Sequence, residues 1–251
     1  MNDGLRTGSV PLFLASVTSA EEARTALDCG ASIIDCKDPQ KGALGALRGS
    51  QIEAIVRAVA GKVLVSATTG DLPNDAALMV NAAARVAATG ADIVKVGFFD
   101  SKDAAAAIAA LGSADLGRAR LVAVLMADRN PNLAIVRQLA AAGFAGVMLD
   151  TADKAAGALP DVLDNKALAA FIFEARAHNL ACGLAGSLRR HHIAGLVALQ
   201  PDIIGFRGAL CDGGRTNALD GARVRGVRES LDAAIAAVQP VNRILAKRSV
   251  A

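Results

Sequence analysis

A (β/α)8 barrel in a single domain, of the triose-phosphate-isomerase type, is the fold this sequence predicts. Strand-like and helix-like segments alternate eight times, at a spacing of roughly 30 residues. The strand-like runs are apolar on both faces, which suits a parallel sheet covered by helices. Several units repeat a Gly–Ala or Gly–Phe step before an apolar run, in CGASII, TGADIV and AGFAGVM. Such a step stops a helix and starts a strand, and eight such units close naturally into a barrel. An open doubly wound sheet is the alternative. Against its dinucleotide-binding version, the first strand–helix turn lacks GxGxxG. Residues 11–240 are assigned to the barrel, with 1–10 and 241–251 as tails.

The elements follow in order. Pro11–Ser16 is the first strand, and Ser19 caps a helix over Ala20–Cys29. Glu21 and Glu22 stand in its first turn, where negative charge complements the helix dipole, and Gly30 stops it. Ser32–Cys36 is the second strand, followed by a long glycine-bearing loop, Lys37–Gly49. Gln51–Ala60 is a helix, Lys62–Thr68 a strand, Asp75–Ala88 a helix ending at Gly90, and Asp92–Val96 a strand. Ser101–Leu111 is a helix and Arg120–Met126 the fifth strand. Pro131 is placed at the start of a helix running to Ala142, with Gly143 at its end. Ala145–Leu149 is a strand, Lys166–His178 a helix, Ala181–Ala185 a strand and Leu188–Leu199 a helix. Asp202–Phe206 is the eighth strand, and a glycine-rich loop, Arg207–Gly221, leads to a last helix over Val224–Val238.

Composition narrows the function classes. The chain has 251 residues, 53% hydrophobic and 20% charged, ample for one large core. A net charge of +3 is too small to imply nucleic acid, and with no Trp or Tyr there is little to stack bases on. Cys29, Cys36, Cys182 and Cys211 are widely spaced without a CxxC pair, as free thiols of a reducing cytoplasm are. His178, His191 and His192 lack metal-site spacing and are read as surface residues, so no metal is expected. No run reaches the ~18 apolar residues of a membrane span, and MNDGLRTGSV has no apolar signal core. A cytoplasmic location is therefore expected. Alanine-rich helix faces at Ala104–Ala110 and Ala140–Ala142 suggest a homo-oligomer, although alanine is also simply a good helix former.

In such a barrel the active site lies at the C-terminal ends of the strands. That rule gathers Asp35 and Lys37 from strand two, Lys95 from strand four, Asp150 and Lys154 from strand six, and Arg207 from strand eight. Ser66 and Thr68 add neutral hydrogen-bonding groups from strand three. Strand alternation puts Ile33, Asp35 and Lys37 on one face. Lys95 sits inside IVKVG, where a buried ion pair with Asp35 or Asp150 is the plain structural reading. Lysines crowded together away from water also suit Schiff-base chemistry on a carbonyl, because burial and a neighbouring ammonium both favour a neutral amine. The loops after strands seven and eight commonly bind phosphate. Here AGSLRR offers Gly186 and Ser187 at a helix N-terminus, and RGALCDGGR offers Gly208, Gly213 and Gly214, with Arg207 and Arg215 as donors. The loop Lys37–Ala46, KDPQKGALGA, presents a further basic surface for a second anionic group.

These motifs resemble a known family. IIDCKDPQKGALGA, VSATTGDLP, DIVKVG, MLDTADK, GLAGSL and PDIIGFRGALCDGGR, in that order and over nearly the whole chain, are similar to the (5-formylfuran-3-yl)methyl phosphate synthases of methanofuran biosynthesis. The resemblance implies a triose-phosphate-isomerase-type barrel that condenses two glyceraldehyde 3-phosphate molecules into a phosphorylated furan aldehyde, losing phosphate and water, without an organic cofactor. It places the Schiff-base lysine on Lys37, the proton-transferring lysine on Lys95, and the aspartate and lysine of the LDTxxK motif on Asp150 and Lys154. Asp35 matches the acidic residue two before the Schiff-base lysine. After CDGG the chain runs RTNALDGARVRG, longer than in archaeal members, which leaves the phosphate-holding arginine open among Arg207, Arg215, Arg223 and Arg225. An aldolase or isomerase of another sugar phosphate, and a non-catalytic phosphometabolite sensor, are the rival readings.

Overall fold

The computed structural model describes residues 5–7, 10–100, 103–153 and 156–248, with side chains of the last helix described through Val238. Eight strands, β1 (Leu12–Val17), β2 (Ile33–Cys36), β3 (Leu64–Thr68), β4 (Ile93–Phe98), β5 (Arg120–Met126), β6 (Gly146–Asp150), β7 (Ala181–Leu184) and β8 (Ile203–Phe206), close into a barrel in sequence order. Every neighbouring pair is parallel, including β8 with β1. The connecting helices are α1 (Ala20–Asp28), α2 (Gly49–Val59), α3 (Ala76–Ala87), α4 (Ala105–Gly112), α5 (Ile135–Ala141), a short α6 (Leu159–Val162), α7 (Asn165–Ala177), α8 (Ile193–Ala198) and α9 (Gly221–Arg248). No described helix is long and apolar enough to cross a membrane.

Local chemistry starts and stops these helices. The side chains of Ser19, Asp75 and Asp164 accept from the backbone N–H three residues on, capping α1, α3 and α7. Gly30, Gly90 and Gly143 follow α1, α3 and α5 at φ +87°, +86° and +82°, a conformation that ends a helix without a Cβ penalty.

Five helices differ from expectation. α4 begins at Ala105, and its expected start at Ser101 lies outside the described residues. α5 begins at Ile135 rather than at Pro131: a 3-10 turn over Ala127–Arg129 and a left-handed Asn130 (φ +51°) come first, and the Asn132 side chain then accepts the Ala134 N–H. α8 begins at Ile193 rather than Leu188; Ser187 is left-handed and the His192 imidazole accepts the Arg189 N–H, holding a 3-10 turn over Arg190–His192. α6 falls between the sixth strand and the helix expected at Lys166, where no helix is expected. α9 runs to Arg248, beyond the expected end at Val238 and into the stretch read as a tail.

The core has two shells. Outward-facing strand residues such as Phe13, Ile34, Val65, Val94 and Leu149 pack under the helices. Inward-facing Leu14, Ile33, Ile93, Val122, Val124, Met148 and Ile203 fill the barrel. Leu5, inside the stretch expected as an N-terminal tail, is 1% exposed and joins this inner cluster. The Thr7 N–H donates to Asp202, just ahead of β8, so Leu5 closes the barrel at the N-terminal ends of the strands. Ala43 and Leu44 join the inner cluster as well, from the loop after β2.

Candidate active site

Period-two alternation turns Asp35 inward, and the barrel register sets it beside Ser16 of β1 and Ser66 of β3. The Ser16 hydroxyl donates to Asp35 Oδ2 at 2.8 Å and the Ser66 hydroxyl to Oδ1 at 2.7 Å. Lys95 Nζ reaches the same Oδ1 from β4 at 3.1 Å. At the end of β2, Lys37 Nζ donates to Asp150 Oδ2 at 3.0 Å, while Asp150 Oδ1 accepts the Thr151 N–H at 2.8 Å. Two lysine–aspartate pairs, 3% exposed at Lys95 and 7% at Lys37, thus stand side by side in the barrel mouth. Burial alone would push the Asp35 carboxyl up. The ammonium groups of Lys95 and Lys37 and the two serine hydroxyls win, and it is held below the usual carboxylate range.

These four side chains line a cavity of about 260 Å3 that opens toward β7 and β8. Its room comes from small residues there: Ala185 and Gly205 face it. The opposite side of the mouth is filled. Gly97 lies two residues beyond Lys95, and a Cβ on it would stand 2.5 Å from Leu44 Cδ1. The loop carrying Leu44 is pinned from both sides. Asp71 accepts the N–H groups of Ala43 and Leu44, and Arg215 donates to the Gly42 carbonyl. The expectation of a basic, anion-binding face on Lys37–Ala46 is therefore corrected. Lys41 pairs with Asp38 and the centre of the loop turns inward as an apolar plug.

The rim over β7 and β8 carries Gly186, Ser187, Arg189, Gly208 and Arg215. Gly186 has φ +109°, a conformation strained for any side chain, and a Cβ there would crowd the Thr151 backbone nitrogen at 3.0 Å. Arg189 and Arg215 flank Gly208, their nearest atoms 3.5 and 3.7 Å from where its Cβ would be. Arg189 donates to the Gly208 carbonyl and Arg215 to that of Gly42; their remaining guanidinium nitrogens have no protein partner among the described residues. Burial pulls the Arg215 guanidinium below its ordinary range.

Other expected site residues lie elsewhere or do other work. Arg207 borders the cavity, but all five of its N–H groups are used inside the protein. They go to both Glu22 oxygens and to the carbonyls of Ser16, Arg215 and Asn217. As a phosphate ligand it is therefore corrected to a loop-holding residue. Ser66 supports Asp35 and does not border the cavity. Thr68 donates to the Cys36 and Gly45 carbonyls, holding the plug loop instead of facing substrate. Gly213 and Gly214 lie outside the lining. Lys154 lies outside the described residues.

Sequence reasoning missed Ser16, Glu22, Leu44 and Asp71. It also missed Arg189, although the AGSLRR loop that carries it was singled out. No group of three or more His, Cys, Asp or Glu side chains suited to a metal ion occurs among the described residues. Burial pushes the Cys36 thiol up and the Cys182 thiol to about 12, so both are unreactive packing residues.

The family model described as 4-HFC-P synthase matches residues 13–228. A protein of Methylorubrum extorquens is 42% identical over 89% of this chain and 92% of its own. The (5-formylfuran-3-yl)methyl phosphate synthases of Methanococcus aeolicus and Methanocaldococcus jannaschii are 39% and 36% identical, each over 82% of this chain and 92% of theirs. Among solved structures, phosphoribosyl anthranilate isomerase from Thermus thermophilus superposes with a TM-score of 0.63, covering 89% of this chain and 99% of that one at 13% identity. A dihydrodipicolinate synthase gives 0.66, covering 93% and 78% at 14% identity. At such identities these superpositions speak for the barrel fold alone.

Proposed function

We infer the activity from one premise: this chain belongs to the 4-HFC-P synthase family. It is a (5-formylfuran-3-yl)methyl phosphate synthase, an enzyme of methanofuran-type cofactor biosynthesis. We propose further that its substrate is glyceraldehyde 3-phosphate, taken twice, and that Lys37 forms the Schiff base. The observation that carries this reading is the pair of buried lysine–aspartate contacts, Lys37–Asp150 and Lys95–Asp35, facing one cavity whose rim holds two arginines with open donors.

In this scheme Asp150 accepts the proton that Lys37 must shed before its amine attacks the triose-phosphate carbonyl. Imine formation releases water. The protonated imine acidifies the neighbouring carbon, and Lys95, held by Asp35, exchanges the proton there. The resulting enamine attacks the aldehyde of the second triose phosphate. One phosphate and two waters leave in total, and hydrolysis of the imine balances the water lost in forming it. The furan's aromaticity makes the late steps downhill. Arg189 and Arg215 hold the phosphate that is kept, as planar fork donors do.

Borohydride reduction in the presence of glyceraldehyde 3-phosphate is the test. A mass adduct on Lys37, together with loss of near-ultraviolet-absorbing furan aldehyde in Lys37→Ala, is the expected result. An adduct on another lysine, or furan synthesis retained by the variant, would overturn the assignment. Condensed sugar phosphate without a near-ultraviolet chromophore would indicate an aldolase instead.

A further inference from the structure

Glu22 lies in the first turn of α1, outside the cavity lining, yet its carboxylate accepts five hydrogen bonds. It accepts from Arg207 Nη1 at 2.6 Å and Nη2 at 3.2 Å, from the Thr18 N–H and hydroxyl, and from the Leu219 N–H. Burial would raise its carboxyl, but the Arg207 guanidinium and the two backbone N–H groups hold it below the ordinary range. Arg207 in turn donates through Nε to the Arg215 carbonyl at 2.9 Å and through Nη2 to the Asn217 carbonyl at 2.7 Å. The loop after β8 is thereby held at three points, residues 215, 217 and 219, by one buried ion pair. Arg215 is the residue of that loop whose guanidinium borders the cavity with donors to spare.

We infer that Glu22 is a positioning residue for the substrate phosphate: through Arg207 it fixes the loop that aims Arg215 into the cavity. This rests on the reading of Arg215 as a phosphate-holding group. The Glu22 carboxylate also keeps Arg207 from competing for the anion, because a guanidinium with all five donors satisfied has none left for substrate. The pair is buried and bidentate, so an amide at position 22 leaves a guanidinium unneutralised and the loop free to shift.

The test is a cycle of Glu22→Gln, Arg215→Ala and the double variant, read as steady-state furan formation from glyceraldehyde 3-phosphate. Each single substitution is expected to raise KM about tenfold, the scale of one charge-assisted hydrogen bond, with kcat lowered less than about threefold. The double variant should match Arg215→Ala alone, because Glu22 acts through that side chain. Glu22→Asp, which keeps the charge, should recover part of the loss. An unchanged KM in Glu22→Gln, or the same penalty from it whether or not Arg215 is present, would overturn the inference. If Glu22→Gln does not fold, Glu22→Asp carries the same cycle. Calorimetric titration with inorganic phosphate separates this from the activity itself. Weaker phosphate binding in the Glu22 variant, absent in the Arg215→Ala background, supports the positioning role even where no furan forms, and equal binding in both overturns it.

Discussion

Asp35 shows how much one side chain can organise. It is fully buried and accepts from a serine on each neighbouring strand and from Lys95 on β4, one strand further round. An amide of the same shape would leave the Lys95 ammonium buried without its counter-charge, and breaking such a pair costs about 3–5 kcal/mol. Asp35→Asn is therefore expected to lower the unfolding free energy measured by urea titration by that amount and to abolish turnover. A stability loss below about 1 kcal/mol would show that the pair is not ionised as drawn. Arg207 teaches the converse. Its place at the end of β8 suggested a ligand for phosphate, and the contact that redirects it is with a residue 185 positions away. A glutamate in the first turn of a helix is too ordinary for sequence to mark Glu22 as its partner.

At the scale of elements, the loop after β2 decides the cavity's shape. Its glycines suggested an open, basic surface, whereas Asp71 and Arg215 draw it across the mouth and sink Leu44 against Gly97. Gly97→Ala would drive a methyl group against Leu44 and the Phe99 ring, and overpacking of this kind costs about 1–3 kcal/mol. Leu44→Ala alone should cost about 2–5 kcal/mol as a cavity. The two together should be less destabilising than their sum, since the shorter side chain makes room for the added methyl. Thermal melts of the four proteins check this, and strict additivity would count against the plug. The expected helix at Pro131 failed for a related reason. Proline is merely tolerated at a helix start, and here the Asn132 side chain accepts the Ala134 N–H in a turn that precedes Ile135.

For the whole molecule, the depressed carboxyls of Glu22 and Asp35 give an acid-sensitive barrel. In the unfolded chain both titrate at ordinary values near ~4, and in the folded protein they hold their charge lower. Between those values the unfolded chain binds more protons. Their contribution is thus fully present above about pH 4 and is lost as pH falls through the folded values. Melting temperature should be level down to about pH 4 and then drop, with a shallower drop in Glu22→Gln; identical acid limbs would contradict the assignment. The closed end of the barrel is testable too: Leu5→Ala should cost about 2–5 kcal/mol, far more than a tail residue could. Periodicity is a property of neighbours along the chain, so the sequence alone determined the eight alternating units, the positions of all eight strands, and the inward face bearing Asp35, Lys95 and Asp150. Closure of the barrel brings together segments that no local pattern relates. Only the tertiary structure therefore decided that Lys95 pairs with Asp35 and Lys37 with Asp150, that Arg207 spends its donors on Glu22 and on backbone carbonyls, and that Leu44 packs inward against Gly97.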